Sequence, residues 1–494
     1  MPAVSPASVA KRALRQIRSA CILDSILIRT EVDCPVSTQS LWFEAALLPA
    51  GWWQQVRINI RQGRIAGIET DVPPDGASER HAIALPGLPN VHSHAFQRAM
   101  AGLTETRRNS DGEPNSADFW SWRDLMYHFV DRLEPDDVEA IAALAYIEML
   151  EAGFTRVGEF HYLHHAPDGG AYSNPAEMCE RIGAAAAATG IGLTLLPVLY
   201  RHGGFGGVAP EAAQRRFITD LPQYLQLLSA AQRAVAALPD AVVGVAPHSL
   251  RAVDAETLQE LVQVAARGPI HIHVAEQDAE VQDCIAWSGE RPVEWLLNHA
   301  GVDARWCLVH ATHLATAELE PLVRSGAVAG LCPITEANLG DGVFRAAEFL
   351  DLGGSVAIGS DSNVLVSAAE ELRTLEYGQR LRHQARNVLA GDNGHSTGRY
   401  LFDAAVRGGS QALGCESAGL AVGASADLLS LNTLHSSLVA RQRDALLDSW
   451  VFASSHGAID CVWRAGRKVV VSGVHVNRAQ IAATYRTRLQ GLLV

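Results

Sequence analysis

Eight short apolar segments recur through the middle of the chain, and a stretch rich in Ala, Leu and Glu follows each one. Apolar runs that alternate with helical stretches are typical of βα units, whose parallel strands are covered by helices. The eight predicted strands are residues 85–91, 156–160, 192–199, 242–246, 270–274, 306–309, 327–331 and 355–358. Eight such units predict an α/β protein with a (β/α)8 barrel of the TIM type.

Short β-type segments flank this region on both sides. Segments 41–48, 55–60 and 64–68 precede it, with Gly51 and Gly63 at predicted turns. Segments of similar texture, 426–432 and 458–471, follow it. Two β regions separated by one large body predict a small sheet that is built from both ends of the chain.

The first 40 residues differ in character from the rest. Between Met1 and Ile22 the only charged side chains are Lys11, Arg12, Arg15 and Arg18. We expect residues 1–40 to be a disordered extension. The basic, acid-free pattern also resembles an organelle-targeting peptide, and an intact Met1 in the mature protein would exclude that alternative.

Charge and cysteine usage restrict the partners and the compartment. The formal net charge is −14, which argues against binding to nucleic acid or to an anionic membrane. No uninterrupted apolar run reaches about 18 residues, so no spanning helix is expected. The eight cysteines are scattered without a CxxC pair, which is typical of reduced thiols in a cytoplasmic protein.

Polar residues that could take part in catalysis or binding follow the predicted strands. In a (β/α)8 barrel the carboxyl ends of all strands meet at one mouth, where catalytic residues lie. These strand-end residues are His92 and His94; Glu159, His161 and Tyr162; Arg201 and His202; His248 and Arg251; His273 and Glu276; His310 and His313; Thr335, Glu336 and Asn338; and Asp361. We therefore expect them to converge on one site.

The first strand ends in a His-x-His pair that could bind a metal ion. His92 and His94 point to the same side of an extended backbone. The pair is weak evidence alone, because the chain contains 19 histidines. Catalytic zinc sites use about three nitrogen or oxygen ligands and leave a position for water. His273 and Asp361 could complete such a set, whereas His271 is expected deeper in the barrel.

Two further strand-end residues are candidate catalytic groups. Glu276 follows His273 closely, where a carboxylate could take a proton from an activated water and deliver it to a leaving amine. His310 could polarise or protonate the substrate. The alternative is a set of barrel-mouth polar residues that bind no metal.

These residues resemble the amidohydrolase superfamily in its mononuclear branch, which includes deaminases of cytosine, guanine and adenosine type. The resemblance rests on His92-Ser-His94, His273-Val-Ala-Glu276, His310 and Gly359-Ser-Asp361. The dinuclear branch uses a carboxylated lysine on the fourth strand, and residues 242–248 contain no lysine. The resemblance thus implies one Zn2+ per subunit, with another divalent transition metal as an alternative.

The resemblance also implies a domain organisation. The superfamily carries a small β-sandwich made from both chain ends, and residues 423–427 resemble its return into that sandwich. We therefore expect sandwich parts at 41–84 and 419–475, a metal-dependent hydrolase barrel at 85–418, and a C-terminal helix at 476–494.

Within the superfamily, four longer motifs resemble the formimidoylglutamate deiminases. They are residues 89–102, 119–127, 247–251 and 332–342, and the similarity extends from about residue 41 to the C-terminus. The resemblance implies hydrolysis of N-formimidoyl-L-glutamate to N-formyl-L-glutamate and ammonia in histidine degradation. It also implies a homodimer.

A dicarboxylate amidine substrate needs arginines in an acidic protein, because a guanidinium binds a carboxylate through two parallel hydrogen bonds. Arg251, just past the fourth strand, is the first candidate. The resemblance implies that Gln97, Tyr162 and His248 are its hydrogen-bonding neighbours. Arg123 is the candidate for the second carboxylate; Arg201 and Arg98 are weaker ones.

Two other functions stay open at this point. One is a deaminase of a purine, a pterin or another amidine-bearing ring, which would need a flat apolar pocket rather than two arginines. The other is a catalytically silent barrel that serves as a scaffold. The complete set of candidate ligands argues against the scaffold.

Overall fold

The computed structural model describes residues 39–76, 78–105, 119–265, 267–391, 395–415 and 419–493. Residues 1–38, which hold nearly all of the predicted extension, lie outside this described part. The strands are β1 Gln39–Leu48, β2 Gly51–Arg61, β3 Arg64–Glu69, β4 Glu79–Pro86, β5 Leu88–Ser93, β6 Phe154–His161, β7 Gly192–Leu199, β8 Val242–Val243, β9 Ala246–Pro247, β10 Ile270–Val274, β11 Trp306–His310, β12 Val328–Leu331, β13 Ser355–Ile358, β14 Leu428–Leu431, β15 Ile459–Arg464, β16 Arg467–Val471 and β17 Val474–His475.

The α-helices of the described residues mostly alternate with these strands. They are α1 Phe119–Val130, α2 Pro135–Glu151, α3 Glu177–Thr189, α4 Leu221–Val235, α5 Ala255–Val264, α6 Asp278–Ser288, α7 Pro292–His299, α8 Thr316–Ser325, α9 Pro333–Leu339, α10 Ala346–Asp351, α11 Ala368–His383, α12 Thr397–Ala412, α13 Asp444–Ala453 and α14 Arg478–Leu493. Local signals set their ends: the side chains of Asp220 and Asp254 accept the first backbone N–H groups of α4 and α5. None of these helices is both long and apolar enough to cross a membrane.

Strands β5 to β13 form the barrel. One parallel sheet has the order β5-β6-β7-β8, with β9 also on β7, and a second has the order β10-β11-β12-β13. Parallel bridges between Val245 and Ile270 and between Ser93 and Asp361 join the two sheets at both seams. Most of these strands are buried along their whole length, as expected for parallel strands beneath helices. The predicted (β/α)8 barrel is confirmed.

Three of the eight predicted barrel strands, 192–199, 270–274 and 355–358, have the predicted bounds. The first predicted strand differs most clearly. The predicted strand 85–91 is divided at Gly87: β4 ends at Pro86 in the flanking sheet, and β5 begins at Leu88 in the barrel. A Cβ atom on Gly87 would lie 2.2 Å from Thr155 Cγ2, so glycine permits this close passage. The predicted fourth strand, 242–246, is reduced to the two short pairings β8 and β9.

The two chain ends build one flanking sheet of eight strands. Its order is β17-β16-β15-β14-β4-β1-β2-β3. Strand β1 pairs antiparallel with β2 and parallel with β4. The sheet curls back on itself, because Ile65 N in β3 donates to Ala424 O just before β14, at 2.9 Å. The enclosed core is separate from that of the barrel and includes Phe43, Ile58 and Trp463. The predicted sheet from both ends is confirmed.

Candidate active site

Four side chains from three strand ends meet at the barrel mouth. The Nε2 atom of His92 lies 3.1 Å from His94 Nε2 and 3.0 Å from His273 Nε2. Asp361 Oδ1 lies 3.5 Å and 3.3 Å from the Nε2 atoms of His92 and His94. All four residues are buried, and their ligand atoms lie within 4.8 Å of one another. The cluster is therefore able to bind one metal ion.

The second ring nitrogens of two histidines fix how the rings face this point. The Nδ1–H of His94 donates to Phe160 O at 2.8 Å, and that of His273 donates to His248 O at 3.1 Å. Both rings then direct the Nε2 lone pair inward, which is the arrangement of metal-binding imidazoles. Burial lowers the pKa of His92 to about 3, so its ring is neutral. Inward lone pairs at such short distances fit a cation between them.

The backbone is strained beyond several strand ends at this mouth of the barrel. Ala275, His310, Ala311, Asp361 and Asn363 all have positive φ values, between 44° and 67°. Non-glycine residues rarely adopt this left-handed region, and they do so where surrounding contacts over-determine the backbone. The strand ends are thus held in conformations that their own propensities do not favour.

A buried polar network supplies part of that constraint between β5 and β13. The Asn90 amide donates to Ser360 Oγ at 2.6 Å, and Ser360 Oγ donates to Asn363 Oδ1 at 2.7 Å. The Asn363 amide donates in turn to Ser93 Oγ at 3.2 Å and to Asp361 O at 3.0 Å. The network joins the backbones that carry His92, His94 and Asp361.

Glu276 and His310 lie beside the cluster. His310 Nε2 is 3.7 Å from Glu276 Oε1 and 3.8 Å from Asp361 Oδ2. Burial raises the pKa of Glu276 to about 7, against the influence of His310 and Arg251. Burial opposes a charge on His310, but the nearby carboxylates, Glu276 foremost, raise its pKa to about 10. A carboxylate and an imidazole with such shifted pKa values are typical of proton-transfer sites.

A cavity of about 230 Å³ opens in front of these groups. The predicted substrate-binding residues Gln97, Arg123, Tyr162, His248 and Arg251 all line it, together with His94, His273, Glu276, His310 and Asp361. Gln97 Nε2 donates to Tyr162 OH at 2.8 Å. Arg251 Nε is buried and has no hydrogen-bond partner in the described part of the chain, which leaves it a donor for a ligand.

Several strand-end residues do not face the cavity. Arg201 is exposed and pairs with Asp254 at 3.0 Å, and Arg98 binds Glu148 at 2.6 Å. His271 is fully buried, and its Nε2 donates to Ala412 O at 2.8 Å. Arg98 and Arg201, the weaker arginine candidates, therefore do not line the cavity.

Sequence reasoning missed an aromatic wall of the cavity. Tyr127, Tyr200 and Phe217 line it, and Gln214 Nε2 donates to Tyr200 OH at 2.8 Å. Tyr200 directly follows the predicted third strand, so its position was available as a signal. The neighbouring Arg201 and His202 are charged or titratable, but they do not line the cavity.

Comparison with known proteins agrees with this geometry. The model of the amidohydrolase family matches residues 83–469, and that of the N-terminal domain of the formimidoylglutamate deiminase HutF matches residues 39–82. The formimidoylglutamate deiminase of Pseudomonas aeruginosa is 52% identical over 461 residues, which are 92% of this chain and 99% of the relative. The chain belongs to the formimidoylglutamate deiminase family of amidohydrolases.

Solved structures place this family member among related folds. An amidohydrolase from Brucella melitensis is 51% identical and superposes with a TM-score of 0.89 over 92% of this chain and 100% of its own. An adenosine deaminase from Xanthomonas campestris with bound zinc superposes with a TM-score of 0.75 over 92% and 98% of the two chains. At 19% identity that second likeness shows the fold alone.

Proposed function

We propose that this protein hydrolyses N-formimidoyl-L-glutamate to N-formyl-L-glutamate and ammonia, as a step of histidine degradation. Its 52% identity to a curated formimidoylglutamate deiminase supports the reaction. The observation that carries the proposal is that Arg123 and Arg251 line the same cavity as the histidine and aspartate cluster. One cavity thus offers two guanidinium groups for two carboxylates and a metal-binding cluster for the amidine end.

We propose His92, His94, His273 and Asp361 as the ligands of one Zn2+ ion. When bound, such an ion polarises a water molecule and lowers its pKa toward neutrality. Imidazole and carboxylate groups also bind other divalent transition metals, so the ligand set alone does not select zinc. The crowded inward-facing nitrogens support a cation at this point.

Glu276 is proposed to move the proton. As a carboxylate it takes one proton from the water that attacks the amidine carbon and gives it to the amidine nitrogen. The hydroxyl proton of the tetrahedral intermediate then follows by the same route as the C–N bond breaks, so that the nitrogen leaves as ammonia and the C=O bond of the formyl group forms. The Glu276 pKa of about 7 suits both steps, because neither form is strongly favoured near neutral pH. His310, with its Nε2 3.7 Å from the Glu276 carboxylate, is positioned to stabilise charge on the same carbon centre.

The remaining wall is proposed to bind the glutamate portion. Arg251 and Arg123 each pair with one carboxylate, and Gln97, Tyr162 and His248 donate hydrogen bonds around them. A guanidinium holds a carboxylate in a fixed plane, so the pair of arginines also orients the amidine toward Glu276.

The test measures ammonia release from a panel of formimino and guanidino acids, together with the metal content of the purified protein. We expect ammonia from N-formimidoyl-L-glutamate, about one equivalent of metal, and loss of activity on chelation that zinc restores. Metal-replete protein that releases no ammonia, where a related deaminase control works, would refute the proposal.

The aromatic wall supports a second candidate, a deaminase of an amidine-bearing ring. Tyr127, Tyr162, Tyr200 and Phe217 could stack on a purine or a pterin. Adding purines and pterins to the same panel separates the candidates: turnover of a neutral ring without turnover of the dicarboxylate would favour this alternative.

Three further proposals concern the protein in the cell. We infer a homodimer from the family resemblance, and light scattering of the purified protein tests it. A cytoplasmic location is supported by unpaired thiols at the six cysteines in the described residues. The domain boundaries at residues 84/85 and 418/419 stay predictions, which limited proteolysis can test.

A further inference from the structure

The carboxylate of Glu336 lies against the edge of the His310 ring that faces away from Glu276. His310 Nδ1 is 3.2 Å from Glu336 Oε1, while His310 Nε2 is 3.7 Å from Glu276 Oε1. Both side chains are buried, at 1% and 5% exposure. A carboxylate in this position accepts a hydrogen bond, so the contact places a proton on Nδ1 and turns Nε2 toward the reacting groups.

Glu336 is itself held firmly by the backbone. Cys332 N donates to Glu336 Oε1 at 2.8 Å, at the junction between β12 and α9. The Glu336 main chain closes the next turn, because Asp341 N donates to Glu336 O at 2.9 Å. The acceptor for His310 is therefore fixed to the barrel rather than carried on a free side chain.

His310 needs such an external support. Its backbone φ is 67° and that of the next residue, Ala311, is 47°, so the end of β11 is strained. Two other carboxylates, those of Glu276 and Asp361, both lie near its Nε2, at 3.7 Å and 3.8 Å. Without an acceptor at Nδ1, the ring could turn about its χ2 angle and offer either nitrogen to those groups.

We propose that Glu336 is a positioning residue for the reaction, which holds the His310 ring in the orientation that presents Nε2 to the substrate carbon. The inference rests on the proposed function, because the role of His310 belongs to that proposal. Carboxylates that hydrogen-bond to the functional histidines of metal enzymes commonly affect activity by tenfold to a hundredfold.

Glu371 offers a matched control. It is fully buried, and its Oε2 accepts a hydrogen bond from Ile334 N in the same first turn of α9, at 2.9 Å. Among the described residues, no hydrogen bond or ion pair joins it to His310. The substitutions E336Q and E371Q each convert one buried carboxyl group that accepts a backbone N–H near the start of α9 into an amide, and only E336Q replaces the charged acceptor of His310 by a neutral one.

The experiment compares steady-state kinetics of the metal-loaded wild type, E336Q, E371Q, H310N and the double variant H310N/E336Q. For E336Q we expect kcat to fall about tenfold to a hundredfold with KM changed less than about threefold. E371Q should keep kcat within about threefold of wild type. The double variant should be no slower than H310N alone, because Glu336 acts through His310. E336D, which withdraws the carboxylate from His310 by one methylene, should lower kcat as E336Q does. It replaces E336Q in the comparison if E336Q does not fold.

A second readout does not depend on turnover. In 15N-histidine-labelled protein, the hydrogen-bonded Nδ1 proton of His310 should give a far-downfield signal that is absent in H310N and shifted upfield in E336Q. An E336Q with wild-type kcat, an equal loss in E371Q, or a signal unmoved by E336Q would overturn this inference. A wild type that releases no ammonia would instead count against the proposed function, and the proton signal would still test the contact.

Discussion

At the scale of single residues, the partner of the second ring nitrogen distinguishes a candidate metal ligand from an ordinary buried histidine. His271 and His273 lie on the same face of β10, two residues apart. The Nε2 of His271 donates to Ala412 O. In His273 it is Nδ1 that donates to a carbonyl, His248 O, and Nε2 lies beside His92 Nε2. Two buried imidazoles therefore offer different atoms to their surroundings, because each one is oriented by a different backbone carbonyl.

Arg251 should set the preference for a dicarboxylate. Arg251→Met removes a buried guanidinium that lines the cavity, so we expect kcat/KM for N-formimidoyl-L-glutamate to fall roughly a hundredfold, or about 3 kcal/mol. Arg201→Met is the matched control, because Arg201 is exposed and pairs with Asp254 outside the cavity. It should stay within about twofold of wild type. Equal losses in both variants would contradict a direct role for Arg251.

Glu276 should determine the acid side of the pH profile. The base form is the carboxylate, so kcat/KM should fall as the pH falls through the pKa of Glu276, which burial raises to about 7. A bound cation favours the carboxylate and moves this limb to lower pH. Glu276→Gln should lower kcat by roughly a hundredfold or more at unchanged metal content. Activity that survives this substitution would exclude Glu276 as the base.

At the scale of elements, the site depends on how two strand ends are joined. β5 and β13 pair through the Ser93–Asp361 bridge, and the Asn90, Ser360 and Asn363 side chains fill the space behind it. The network is fully buried and hydrogen-bonded, so each member limits the others to one geometry. The seam of the barrel is thus also the support of the candidate metal centre.

Asn363→Gly should loosen the centre while it leaves the ligands intact. Glycine tolerates the φ of 56° at this position, so the substitution isolates the side-chain hydrogen bonds. We expect metal affinity to fall about tenfold to a hundredfold, measured by competition with a chelator. Asn387→Gly is the control, since Asn387 is exposed and has a φ of 54°. A Kd unchanged in Asn363→Gly would show that the network does not support the ligands.

The sequence identified which strand ends carry polar groups, but it did not distinguish their directions. His92, His94, His273 and Asp361 were predicted together because strand ends converge in any closed barrel. Arg201 and Tyr200 are adjacent, and only the second lines the cavity. Which of the two side chains faces the cavity depends on a shift of one residue along the strand. It also depends on Asp254, the partner of Arg201, which lies 53 positions away in the sequence. Long-range pairing of this kind has no signature in local pattern.

At the scale of the whole molecule, the barrel and the flanking sheet were predictable from alternation, but the contact between them was not. Arg464 in β15 is 5% exposed and donates to Asp427 at 2.9 Å and to Asp240 beside β8. Asp240 also pairs with Arg156 at the start of β6, at 2.8 Å. Two buried arginines and two aspartates thus join the sheet to the amino-terminal ends of the barrel strands, the end opposite the site.

Arg464→Met should destabilise the protein without changing its chemistry. The substitution removes a buried guanidinium that donates to two partly exposed carboxylates, so we expect the free energy of unfolding to fall by about 2 kcal/mol in chemical denaturation. The kcat should stay within about twofold of wild type, because the candidate active site lies at the opposite, carboxyl ends of the strands. The control Arg467→Met, at an exposed position three residues later in the chain, should alter the free energy of unfolding by less than about 0.5 kcal/mol. If Arg464→Met lowered kcat without lowering stability, the flanking sheet would influence the candidate active site through the barrel. Its role would then exceed stabilising the amino-terminal ends of the barrel strands.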